Sequence, residues 1–133
     1  MSARTTSSHT FTKLIVGDPE KMAAFYKEVY GLEEIERIQS AIGPDPIDEI
    51  MLGKQGDLTG VLVLLKFVDK PAPEQGEVIL GFVTDDVEAV YEQVLAAGGG
   101  IHAEIKQEPD SPYKVGFATD PEGHLAEIVQ MLE

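Results

Sequence analysis

Few residues in this chain are of types and in settings that do chemistry. Glu127 is the sharpest. It lies in the run LAEIVQM, where Leu125 and Val129 share its strand face. A carboxylate on an apolar face has to be paired, hydrated or neutral. A carboxyl so placed suits the work of a general acid or base. Lys13 and Lys66 also interrupt apolar strands, and either would neutralise Glu127 in an ion pair or attract an anionic molecule. Of the three histidines, His9 and His102 read as surface residues, and His124 as structural or surface, with its side chain on the face opposite Glu127. The chain has no cysteine, which excludes disulfides, thiolate zinc sites and a thiol nucleophile. Ser7, Ser8, Ser40 and Ser111 sit in tail, strand-end or turn contexts with no paired histidine signature. Gly98–Gly100 follows a helix, whereas an anion cradle precedes one. The net charge of −14, from 24 acids against 10 bases, repels phosphate backbones and argues against a nucleic-acid partner.

The elements that must position these residues come in two similar sets. FTKLIVGDPEKMAAFYKEVYGL begins at residue 11 and VILGFVTDDVEAVYEQVLAAGG at residue 78. Each reads as an apolar strand, an Asp that caps a helix, an amphipathic helix and a glycine stop. The first strand is expected over 9–16. Its helix has Asp18 as cap, Pro19 in the first position and an apolar face of Met22, Phe25, Tyr26 and Val29. Strands are then expected over 32–40, 47–52 and 61–67, with a turn or short loop at 43–46 and a hairpin at 54–57. The second set starts with a strand over 78–84. Its helix is capped by Asp85 or Asp86, with Val87, Val90, Tyr91, Val94 and Leu95 on its inner face. Strands over 101–107, 113–119 and 124–131 complete it. At 133 residues the chain is one domain. It divides into module 1 over about 9–68, a Pro-rich linker over 69–76 and module 2 over about 77–132. The lead-in MSARTTSSHT has no apolar h-region and no run is long enough to span a bilayer. With the lack of cysteine this fits a soluble, cytoplasmic protein with a floppy N-terminus and no membrane partner.

The segments VGDPEKMAAFYKEVYGL, VTDDVEAVYEQVLAAGG and DPEGHLAEI together resemble the vicinal oxygen chelate (VOC) superfamily, which includes glyoxalase I, extradiol dioxygenases, methylmalonyl-CoA epimerase and the bleomycin- and fosfomycin-resistance proteins. The resemblance covers most of the chain. It implies an α+β fold of two tandem β-α-β-β-β modules whose curved mixed sheet forms a cup, and a homodimer. In the metal-using members the cup holds one divalent ion, with ligands on the first and last strand of each module. Counting from the shared motifs puts those positions at Phe11, near Leu64, at Ile79 and at Glu127. Only Glu127 is a metal ligand by type; Phe and Ile offer no donor atom. His9 and Glu77 lie two residues before Phe11 and Ile79, so a relocated metal held by His9, Glu77 and Glu127 is the alternative. It requires ligands displaced by about 6–7 Å along their strands.

Strand parity then assigns the cup lining. Phe11, Lys13, Leu64, Lys66 and Ile79 are expected to contact a ligand, with Tyr113 offering a hydroxyl and Glu127 as the catalytic candidate. Apolar walls with sparse polar groups suit a small organic molecule. The expectation is a small-molecule binding protein of the glyoxalase/bleomycin-resistance type with a degraded metal site and no cofactor. The alternative is a VOC enzyme, lyase, isomerase or dioxygenase-like, working through Glu127 as acid/base or through a relocated divalent metal.

Overall fold

The computed structural model describes residues 5–132; the first four residues of the expected N-terminal lead-in lie outside them. Eight strands and two helices follow in the order β1 (Phe11–Ile15), α1 (Pro19–Tyr30), β2 (Glu33–Ile42), β3 (Asp45–Lys54), β4 (Asp57–Phe67), β5 (Ile79–Thr84), α2 (Val87–Ala96), β6 (Gly100–Lys106), β7 (Tyr113–Thr119) and β8 (Leu125–Met131). They form two four-stranded mixed sheets, β1-β4-β3-β2 and β5-β8-β7-β6. In each, the first strand runs parallel to the last and the other pairings are antiparallel. This is the expected pair of β-α-β-β-β modules.

The helices start and stop where the capping chemistry requires. Asp18 accepts from the Lys21 amide at 3.0 Å, with Pro19 in the first turn, and Gly31 closes α1 at φ 69° with its N–H on the Lys27 carbonyl. In α2 the cap is Asp86, which accepts from the Ala89 amide at 3.1 Å. The inner face of α1 is buried as expected. In α2, Val87, Val90 and Val94 are buried but Leu95 is exposed, because the short helix meets its sheet along one narrow stripe. The expected turn over 43–46 shrinks to Gly43 and Pro44, with Asp45 and Pro46 already in β3.

One core joins the modules on the helix side. Leu14, Ile50, Leu52, Leu62 and Leu64 from the first sheet meet Ala118 and Ile128 from the second, with both helices between. Helix α1 reaches across the boundary: Tyr30 stacks on Phe82 of β5 with ring centroids 3.8 Å apart. A Cβ on Gly99 would come within 2.9 Å of the Phe25 ring, so the crossing of α1 over module 2 depends on that glycine. The DPEG turn adds polar ties. Glu122 accepts from the amides of Gly17 and Asp18 at 2.7 and 2.8 Å, placing a carboxylate at the N-terminus of α1 where the helix dipole favours it.

Candidate functional site

Register decides which residues face the concave side, away from the helices. Paired residues on neighbouring strands share a face. Leu14 pairs with Leu64, and Leu64 with Ile50, all in the helix-side core. The intervening set therefore lines the cup: Phe11, Lys13 and Ile15 on β1, Val61, Val63 and Leu65 on β4, and Ile47, Glu49 and Met51 on β3. In module 2, Gly81 pairs with Glu127 and Glu127 with Phe117, while Val83 pairs with Val129 and Val129 with Val115. Ile79, Gly81 and Val83 are exposed, and Ala126 and Ile128 on the other face of β8 are buried.

This placement keeps Phe11, Lys13, Ile79, Tyr113 and Glu127 on the cup side and corrects two expectations. Leu64 is fully buried in the helix-side core and Lys66 shares that face, beside Asp48. The long apolar run VLVLLKF has no internal alternation, so parity along it could not be set from the sequence. The fourth family position is Val63, since Lys13 pairs with Val63 as Gly81 pairs with Glu127. The four positions that the resemblance implies thus fall at Phe11, Val63, Ile79 and Glu127, with one donor group among them. Among the described residues no three His, Asp or Glu side chains gather in a way that could hold a metal ion, so His9, Glu77 and Glu127 do not form the relocated set. The residues present do not fit the family's metal.

The expected ligand contacts fall into separate recesses rather than one. Phe11 and Ile79 line a cleft of about 380 Å³ between β1 and β5, with His9 at its wall. Lys13 borders a smaller cavity of about 240 Å³ with Ile15, the linker residues Pro73–Val78 and His124. Tyr113 belongs to a recess of about 490 Å³ over β6 and β7, walled by Ala103, Ile105, Val115 and Phe117, with Glu104, Lys106 and Glu108 around it. Glu127 is half-buried beside Phe117.

The polar chemistry of the cup includes a residue that sequence reasoning missed. Glu49 is 5% exposed and binds the Lys13 ammonium through both carboxylate oxygens, at 3.3 and 3.0 Å. Lys13 therefore pairs with Glu49 and not with Glu127. Among the described residues Glu127 joins no ion pair. The signal was present: Glu49 alternates with Ile47 and Met51, the pattern that singled out Glu127. On the helix side, Arg37 grips Asp48 through Nε and Nη2 at 3.1 and 2.7 Å and Glu20 through Nη1 at 2.6 Å. The Arg37 hydrogen bond holds the Asp48 carboxyl below its ordinary range.

His124 is buried at the turn before β8, the structural of its two expected settings. Its Nδ1 lies 2.7 Å from Asp120 Oδ2 and its Nε2 3.2 Å from the Ile15 carbonyl. Tyr26 donates to the same Asp120 oxygen at 2.8 Å, and the amides of Glu122 and His124 donate to Oδ1 at 2.9 and 3.0 Å. Burial works against the Asp120 charge, but the hydrogen bonds from His124 and Tyr26 outweigh it and hold the carboxyl below its usual range. Burial likewise opposes a charge on His124, and the hydrogen bond and charge of Asp120 overcome it, lifting the imidazole. Burial, then Asp120, pushes the Tyr26 phenol far up.

Two β-α-β-β-β modules with their sheets curved to one side define the architecture of the glyoxalase-type proteins. The chain belongs to the Glyoxalase/Bleomycin resistance protein/Dioxygenase superfamily, whose model matches residues 7–128. It is 25% identical over 122 residues to a probable lactoylglutathione lyase of Vibrio parahaemolyticus, covering 90% of this chain and 87% of that protein. A glyoxalase family protein of Bacillus cereus superposes with a TM-score of 0.84 at 16% identity, over 100% of this chain and 99% of the other. TioX of Micromonospora sp. ML1 superposes with a TM-score of 0.66 at 24% identity, over 95% and 100% of the two chains. At these identities the structures establish the shared fold.

Proposed function

We propose that the protein binds a small, largely apolar organic molecule on the concave face of module 2, without a metal. The observation that carries this reading is the occupancy of the four metal positions by Phe11, Val63, Ile79 and Glu127. Three apolar side chains stand where donors are needed, and one carboxylate is too few for a stable divalent site. What remains is an aromatic and aliphatic surface with sparse polar groups, the composition of a small-molecule site. Tyr113, Val115 and Phe117 supply contact area, and Glu127 offers an oriented acceptor beside Phe117.

The protein acts as a homodimer in this reading. Ile79 is 59% and Val83 77% exposed on the cup face, and a second copy seated over the cup would cover part of that surface. It resides in the cytoplasm; no helix among the described residues is long and apolar enough to cross a membrane.

Two measurements test this. Titration with Zn²⁺, Mn²⁺, Ni²⁺ and Fe²⁺ should leave thermal stability unchanged and bind no stoichiometric metal; one equivalent bound, and lost in Glu127→Gln, would sink the metal-free reading. A thermal-shift screen of aromatic and aliphatic metabolites should yield ligands whose effect is lost in Phe117→Ala. A second reading, a VOC enzyme using Glu127 as acid/base, draws on the likeness to the probable lactoylglutathione lyase. It predicts formation or cleavage of lactoylglutathione, or turnover of a screened ligand, that is abolished in Glu127→Gln.

A further inference from the structure

We infer that His124 is a buried imidazolium cation and that the junction it closes between the two modules is a proton-dependent latch. The donors and acceptors around the ring fix its protonation state. Asp120 accepts from three donors, Tyr26 and two backbone amides, and its carboxyl is held below its usual range, so it presents only acceptor oxygens to His124 Nδ1 at 2.7 Å. His124 Nδ1 must then carry a proton. On the other side of the ring, Nε2 faces the Ile15 carbonyl, which can only accept. A neutral ring has one N–H, so it would turn a bare nitrogen lone pair toward either a carboxylate or a carbonyl oxygen. Only the doubly protonated ring satisfies both partners.

The charges around the ring favour that state. From its own turn, Asp120 bonds it and Glu122 adds a second negative charge. From α1, Tyr26 meets Asp120, and Tyr30 lies near enough to feel the Asp120 charge. From the linker, Glu74 and Glu77 line the cavity that His124 borders. Lys13 of β1 lines it too and is the one cation of the set, but Glu49 holds its ammonium.

The latch joins what the chain keeps apart. Ile15 ends β1 and Tyr26 lies on α1, both in module 1, whereas Asp120 and His124 flank the turn between β7 and β8 in module 2. Loss of the Nε2 proton breaks the bond to Ile15, which ties the modules; loss of the Nδ1 proton breaks the bond to Asp120, which lies within module 2 and holds the ring toward Ile15. The folded imidazole is raised above its unfolded value of about 6.5, so the stabilisation is full below that pH and is lost as pH rises through the folded value.

The test uses the full chain. Ring ¹⁵N spectra of the three histidines, assigned with His9→Gln and His102→Gln at exposed positions, should show both nitrogens of His124 protonated at about pH 7.5, where a free imidazole is mostly neutral. An unprotonated ring nitrogen on His124 at that pH overturns the inference. In parallel, chemical denaturation at about pH 6 and pH 9 should show the wild-type folding constant falling about tenfold per unit by which the folded value exceeds the unfolded one. His124→Gln should lack that fall. Equal pH dependence in the two proteins also overturns the inference, and if the variant does not fold the spectra of the wild type still decide.

Discussion

The two modules share a framework and differ in what they do with the concave face. In module 1 that face is itself a core: Val63 and Leu65 are fully buried and Glu49 nearly so. Its strands β2 to β4 are 10 or 11 residues long, and the buried Glu49 carboxylate on that face is matched by Lys13. In module 2 the strands are 6 or 7 residues long. The equivalent surface stays open, and Ile79, Val83, Tyr113 and Met131 are all exposed. Duplication of a module therefore does not duplicate a site. One copy has invested its cup in stability, and the other holds the apolar area available for a ligand or a second chain. The polar ties run the same way: Asp120, Glu122 and His124 of module 2 all grip module 1, while the corresponding hairpin of module 1, Lys54–Asp57, is exposed.

The contrast can be broken by substitution, in descending order of effect. Asp120→Ala removes the acceptor shared by Tyr26 of α1 and His124 of the β7–β8 turn and leaves both unsatisfied; a loss of about 3–5 kcal/mol in denaturant unfolding is expected. Leu65→Ala, on the buried cup face of module 1, should cost about 2–5 kcal/mol, whereas Val83→Ala, on the exposed cup face of module 2, should change stability by less than about 0.5 kcal/mol. Equal effects would mean that the second cup is covered in solution. Glu49→Gln leaves the Lys13 ammonium without its carboxylate and should cost about 1–3 kcal/mol, while Glu127→Gln, which breaks no ion pair, should be close to neutral for stability. A large destabilisation by Glu127→Gln would show that it serves module 2 as Glu49 serves module 1. The smallest effect concerns acid. Asp120 is held below its unfolded value of about 3.9, so its contribution is present above that pH and fades as pH falls through the lower folded value. An acid unfolding curve should shift upward in pH for Tyr26→Phe, which removes one of the bonds holding the carboxyl down.

Local chemistry made much of this legible before any coordinates. Asp18-Pro19 and Gly31 bracket α1 in the sequence as they do in space, since caps are satisfied by neighbours three or four residues away. The side of Glu127 followed from its alternation with Leu125 and Val129. The same reasoning misplaced Leu64 and Lys66, because β4 is apolar on both faces and a one-residue slip in parity reverses every side chain. It also passed over Glu49, whose alternation was readable but whose importance lies in a partner 36 positions away.

What the sequence determined by itself was the duplicated module, its helix boundaries, the absence of thiol chemistry and the apolar character of Phe11 and Ile79 at equivalent places in the two modules. These depend on residue type and on spacing within one element. Only the tertiary structure decided that Val63 completes the apolar set, that Lys13 belongs to Glu49, and that His124 is a buried clasp between modules. Each of those depends on which strands lie side by side and in what register. Pairing across dozens of residues is set by the packing of the whole core, not by the local pattern.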